Sequence, residues 1–457
     1  MKEDSQQDFH RIMKNRHLMM IAFGGVIGTG LFVATGENLH QAGALGTLLS
    51  YAIGALIVCT VMLSLGELSS MFPNTSSFGD YAHRFISPST GYVVTWLYWL
   101  TWVAALGGEF TAVGLLMQKW FPDVPVWVWA SIFGVVIFVL NIWTVRVFAE
   151  GEFIFSGIKV IAVILFLLLG FGVILYNVFH FGVRETFVYY YKDGWFPNGL
   201  SAILMTILAV NFAFSGTEVI GVAVGETKDP GKAMPKAINA TLWRLVLFFI
   251  GTVFIIATLL PYDDARLSTS PFVAVLDKIG IPFAGDIMNF IIIIAIFSVS
   301  NSGLYASSRM LWSLGNTGKI PRFFGKVNHR GTPVNAVIFS MLGSLSALSS
   351  LVFAPEIVFS TLIGVSGFTS ILTWMSVSLA QYNFRKSCSQ EMLAKLPYKT
   401  PFMPYTPIIA LFLCSASIIG CFFDTTQRIS IFATLIFVLV CYGTYFLTEK
   451  KPSAINS

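Results

Sequence analysis

Between Ile21 and Leu447 the sequence is divided into about twelve long apolar runs, and no other feature narrows its possible folds as much. The runs fall near residues 17–36, 44–72, 90–118, 126–145, 153–176, 200–225, 240–260, 286–312, 333–354, 357–383, 405–423 and 429–447. A transmembrane helix needs about 20 mostly apolar residues, and these runs supply that length. They are continuous rather than alternating, which excludes a closed β-barrel. Only 11% of residues are charged, against about 25% in an ordinary soluble domain, so no stretch can cover a water-exposed globule. Disorder, collagen-like repeats, nucleic-acid binding and small secreted scaffolds are excluded on the same ground. The sequence predicts an all-α polytopic membrane protein with about 12 transmembrane helices.

The positive residues orient it. With both termini placed in the cytoplasm, only Lys119, Arg184, Lys192, Arg266, Lys278 and Arg428 fall on the far side. Lys159 lies inside a run, and the other 21 of the 28 lysines and arginines face the cytoplasm. That asymmetry follows the positive-inside rule. Residues 1–16 then form a cytoplasmic tail, as do 448–457. The first run is too long for a signal-peptide core and is followed by no cleavage site, so it reads as an uncleaved first helix. Cysteines 59, 388, 414, 421 and 441 are odd in number and form no CxxC, which predicts neither disulfide nor metal site. The six histidines do not pair at ligand spacing.

Two runs are interrupted. The first holds Gly24-Gly25-Val26-Ile27-Gly28-Thr29-Gly30, four glycines within seven residues, and the sixth holds Phe214-Ser215-Gly216-Thr217-Glu218. Glycine inside a helix costs about 1 kcal/mol against alanine, so the cluster reads either as close helix packing or as unwound backbone. Broken segments at matching positions of two halves point to a transporter's binding site. Runs one and six correspond if the chain is built as five plus five helices with two extra. Five is odd, so the second repeat is inverted. This divides a single transporter domain, 17–447, into a first repeat at 17–176, a second at 200–383, and two extra helices at 405–447. Freed N–H groups at the breaks suit a carboxylate and freed carbonyls suit an ammonium.

Ionisable residues deep in a membrane are functional candidates by default. Glu218 follows the second break and can bond freed backbone or take a proton. Glu109 sits midway along run three and can face a cavity or another helix. Lys159, in run five, can exchange a proton during transport or snorkel to the interface. Glu67, near the end of run two, reads as interfacial, as do most of the tryptophans and tyrosines of runs three and four. Phe212 and Phe214 flank the second break as possible lids. Asn301, Ser302 and Tyr305 form a polar stripe on run eight, open to substrate contact or to core hydrogen bonding. No HExxH, GxSxG or P-loop is present, so no enzyme or ATP-driven pump is predicted, and nothing resembles a channel filter.

Several stretches resemble the bacterial amino acid transporter family of the amino acid–polyamine–organocation superfamily. They are Arg16-His17-Leu18 leading into Gly24 through Phe32, Gly66-Glu67-Leu68, Phe214 through Glu218, Gly225-Glu226-Thr227, and Asn301-Ser302-Gly303-Leu304-Tyr305-Ala306. The likeness runs from about Asn15 to Leu447. It implies the inverted five-plus-five, LeuT-like fold with discontinuous helices 1 and 6. It also implies a substrate held by its α-carboxylate and α-amine on Ile27, Gly28, Thr29 and Gly30 of the first break and Phe214, Ser215 and Gly216 of the second. Glu218 would couple the breaks, and Lys159 matches the lysine that proton-coupled relatives carry. Gly91 through Trp102, Gly194 through Pro197, Leu204-Met205-Thr206, Val210 through Glu218 and Tyr442 through Leu447 are similar to permeases of S-methylmethionine. The expectation is therefore inward symport of that sulfonium amino acid with a proton, without a cofactor, in the bacterial cytoplasmic membrane. A lysine, aromatic or threonine-type substrate, an exchanger and a substrate sensor are the alternatives.

Overall fold

A computed structural model describes Met20 and residues 25–73, 77–143, 145–222, 230–264, 270–328, 331–423 and 427–449. The expected tail 1–16, Arg16-His17-Leu18, Gly24, Gly225-Glu226-Thr227, Arg266 and residues 450–457 lie outside them.

The described residues are helical, with no strand among them. In chain order the main helices are α1 (Thr29–Phe32), α2 (Ala34–Met71), α3 (Phe78–Phe85), α4 (Pro88–Met117), α5 (Val126–Trp143), α6 (Val145–Phe181), α7 (Ser201–Phe214) and α8 (Val219–Val222). They continue as α9 (Pro230–Leu259), α10 (Pro271–Ile279), α11 (Ala284–Asn316), α12 (Val334–Ser340), α13 (Leu342–Ser346), α14 (Pro355–Ser387), α15 (Tyr405–Cys421) and α16 (Arg428–Glu449). Among the described residues eight segments are long and apolar enough to cross a bilayer, and 126–142 and 405–421 are shorter apolar helices. Every backbone group in lipid must be satisfied within its own segment, which is why apolar runs of this length fold as helices.

The boundaries have local causes. α4 begins at Pro88, whose missing N–H is no loss in a first turn, and the Ser87 hydroxyl accepts the Thr90 amide at 3.1 Å. Runs one and two meet at Gly43, whose φ of +71° breaks helical geometry inside α2. The run expected as one helix over 333–354 is instead α12, α13 and a 3-10 turn at Ala347–Leu351. Serines accompany the tightened turn: the hydroxyls of Ser346, Ser349 and Ser350 donate to carbonyls three residues back at 2.5–2.7 Å.

α4 is the axis of the bundle, packed by α14, α11, α3 and α5, while α2 packs against α9 and α7. The most apolar stretch of α7–α8 is 83% buried, whereas that of α16 is 28% buried and that of α6 39%. The broken sixth segment therefore lies inside, and α16 and much of α6 face lipid. Tyr98, Trp99 and Trp102 depart from the interfacial expectation: they are buried, and Trp99 Nε1 donates to Ser340 Oγ at 3.1 Å.

Glu67, one turn from the end of α2, is fully buried within the protein. Its carboxylate accepts Arg385 Nε at 2.6 Å, Arg385 Nη2 at 2.8 Å, Gln381 Nε2 at 3.0 Å and the Thr400 amide at 2.6 Å. One acid thus fastens the end of α2 to the end of α14 and to the chain beyond it. Removing one partner of a buried ion pair strands the other, at a cost of about 3–5 kcal/mol. Glu67→Gln is expected to lower stability by about 3 kcal/mol on that scale, read as an earlier thermal unfolding in detergent. An unchanged transition would show the clamp to be dispensable.

Candidate functional site

The two breaks meet at the centre of the bundle. At the first, Gly28 is extended, and its carbonyl accepts the Leu31 and Phe32 amides at 3.1 Å, starting α1. A methyl group at Gly28 would stand 2.8 Å from Val299 Cγ2 and 3.2 Å from Glu109 Oε1, so the missing side chain lets the backbone approach that carboxylate. At the second, α7 ends as the Ser215 amide turns back to the Asn211 and Phe212 carbonyls, and Gly216 takes φ +101°. A side chain on Gly216 would collide with the Gly25 carbonyl and Trp102. The breaks touch there backbone to backbone.

Between them lies a narrow cavity of about 10 Å³, room for roughly one water molecule. Gly28 and Gly30 of the first break, Phe212 and Ser215 of the second, and Glu109 line it, together with Gly25 of the same glycine cluster, Trp102, and Ser366, which the sequence had not singled out. Glu109 thus faces the cavity and not lipid. Its Oε1 accepts the Thr29 hydroxyl at 2.9 Å. Its Oε2 and Ser366 Oγ are buried without a hydrogen-bond partner among the described residues. Buried polar atoms are normally paired, so these two leave the cavity wall able to bond a further polar group.

The remaining candidates lie outside its walls. Ile27 is in the core, and Phe214 stacks on Phe249 with centroids 4.6 Å apart. Glu218 is turned onto its own break: it accepts the Gly216 amide at 3.0 and 3.2 Å, Tyr98 Oη at 3.1 Å and Trp374 Nε1 at 3.2 Å. It therefore ties the second break to α4 and α14. Asn301 accepts from Asn141 Nδ2 at 2.8 Å, and Ser302 is buried on the same helix. Lys159 is fully buried and lies within electrostatic reach of two acids, Glu109 and Glu152.

Glu152 was not found in the sequence. It is fully buried on α6, where its Oε1 accepts the hydroxyls of Ser156, at 3.1 Å, and of Ser298. The signal was the seven-residue interval to Lys159, two turns along one helix face. It was hidden because Glu152 sits just before the apolar run begins at 153. Among the described residues no three His, Cys, Asp or Glu side chains are grouped to hold a metal.

The sequence matches the family described as "Amino acid permease" over residues 17–455. It is 48% identical over 463 residues to a putative histidine permease of Bacillus subtilis (strain 168), covering 99% of this chain and 97% of that protein. It is 43% identical to the amino-acid permease RocE of the same organism, covering 99% and 98%. The lysine-specific permease LysP of Escherichia coli (strain K12) is 38% identical, covering 90% and 86%. S-methylmethionine is not among the substrates these names carry.

Proposed function

The chain belongs to the amino acid permease family, and from that premise we propose that it imports an amino acid with a cationic or cation-forming side chain, histidine first, in symport with a proton. The observation that carries this reading is Glu109 Oε2, an open carboxylate oxygen buried in the pocket between the breaks. The α-carboxylate would rest on amides freed at Gly28–Gly30 and the α-amine on carbonyls freed at the second break, as oriented helix ends favour. The side chain then meets Glu109 and Trp102.

Hydrogen-bond chemistry separates the candidates. Glu109 Oε2 accepts, so a protonated imidazole and the ammonium of lysine can donate to it, and the sulfonium of S-methylmethionine cannot. The 48% identical relative named as a putative histidine permease supports taking histidine first. Lys159 is the proposed proton carrier, since a buried lysine beside two acids can lose and regain a proton as the breaks rearrange. Glu218 would hold the second break in register. Both termini are assigned to the cytoplasm of a bacterial cell on the lysine and arginine asymmetry. The inverted repeats, 17–176 and 200–383, would rock about the breaks.

The test is uptake of labelled histidine into proteoliposomes, with and without an inward proton gradient, competed by lysine, phenylalanine, threonine and S-methylmethionine. Gradient-dependent uptake competed chiefly by histidine supports the reading. Stronger competition by S-methylmethionine moves the substrate, and uptake that ignores the gradient but needs internal amino acid makes the protein an exchanger. Within this assay Glu109→Gln should raise the KM for histidine on the order of tenfold or more, since a hydrogen bond to a charged group contributes about 1.5–3 kcal/mol. An unchanged KM would remove Glu109 from the binding site.

A further inference from the structure

We propose that Glu152 is the counter-ion of the transported proton: it compensates the charge on Lys159 while the substrate's cation occupies Glu109. The inference rests on the proposed function and gives a task to a buried acid near Lys159 which that function leaves unused.

The geometry is specific. Glu152 Oε1 is held by Ser156 and Ser298, and its Oε2 has no hydrogen-bond partner among the described residues. Lys159, seven residues further along α6, lies within electrostatic reach of it, and Lys159 in turn feels Glu109 from α4. α11 presents only neutral Ser298 and Asn301 to it. Ser156 has a single proton and two acceptors, Glu152 Oε1 at 3.1 Å and the Met20 carbonyl at 2.9 Å. The state of Glu152 is thereby tied to the backbone that leads into the first break.

Charge counting gives the role. An uncompensated ion in this environment is costly. A cycle that loads one cationic substrate and one proton brings two positive charges into the cluster, and the cluster holds two carboxylates to receive them. If substrate takes Glu109, the protonated Lys159 needs Glu152. If only one acid were present, substrate and proton would compete for it and import could not be coupled to proton entry. Glu152 is on this account a positioning residue, acting through Lys159 and not touching substrate.

The experiment uses the full chain in liposomes with the membrane potential clamped at zero and labelled histidine as probe. The readouts are accumulation under an inward proton gradient, exchange without one, and the pH profile of uptake. E152Q should lower the ratio of accumulation to exchange at least tenfold. It should also move the acid side of the profile about one unit further acid, because the proton has lost its compensating charge. E152D should recover most of the ratio. A wild-type ratio and profile in E152Q would overturn the inference. So would a parallel loss of accumulation and exchange with an unshifted profile, which is the mark of a merely structural residue. If E152Q does not insert, S298A keeps the acid but removes a bond to it: a displaced profile supports the inference and an unmoved one overturns it. Wild-type protein that moves histidine without regard to the gradient would overturn the proposed function, and this inference with it.

Discussion

Replacing Lys159 by alanine is expected to abolish accumulation of substrate against its gradient while some counterflow remains. At zero membrane potential, one coupled proton and a two-unit pH difference can sustain about a hundredfold accumulation, since each unit is worth about 1.36 kcal/mol, or a factor of ten. Without the proposed proton carrier that ratio should fall to about one. The substitution also leaves Glu109 and Glu152 without their cation, and a stranded buried charge is destabilising by about 3–5 kcal/mol. Counterflow therefore serves as the control for folding, and Lys159→Gln, which keeps the volume and a donor, is the milder companion. Uphill uptake at the wild-type level in either variant would remove Lys159 from coupling.

The second large effect is expected at Gly216, where φ +101° and the Gly25 carbonyl coincide. A β-branched residue there faces two costs. The left-handed conformation is worth about 1–3 kcal/mol of strain, and crowding in a packed interior adds about 1–3 kcal/mol. Backbone on the opposite side cannot rotate away as a side chain can. Gly216→Val should abolish histidine binding and lower thermal stability together, with Gly216→Ala between it and wild type. Gly28→Ala is the contrast, because its nearest obstacle is the Val299 side chain at 2.8 Å, which can shift. Equal binding by Gly216→Val and wild type, measured by scintillation proximity, would show that the two breaks need not touch.

What the sequence made legible follows from how each signal is encoded. The bilayer imposes a length and a continuity on helices, so the apolar runs could be read directly. Clustered glycines and a lone lysine or glutamate in an apolar run are costly enough to stand out, and this exposed both breaks, Glu109 and Lys159. The rest depended on partners distant in sequence. Glu67 sits at a run's end, and its burial is made by Gln381, Arg385 and Thr400, more than 300 residues away. Glu152 sits at a run's beginning and is recognised only once Ser298 is brought beside it. Trp102 is one of many aromatic residues in its run, and only the fold turns it toward the pocket. The fracture at 341–351 is accompanied by serines, whose hydroxyls are silent in a hydropathy count.

The clamp at Glu67 has a consequence for motion. The ends of α2 and α14 and the chain at Thr400 share one dry carboxylate, and pulling any of them away would leave an ionised group without solvent. Those ends are bound to travel as one body. On the proposed import cycle the bundle opens alternately to its two sides, and a joint this costly to part would act in it as a pivot rather than a door. The segment leading to the last two helices is anchored there through Thr400, so in that cycle those helices would be ballast for the movement and not spectators of it.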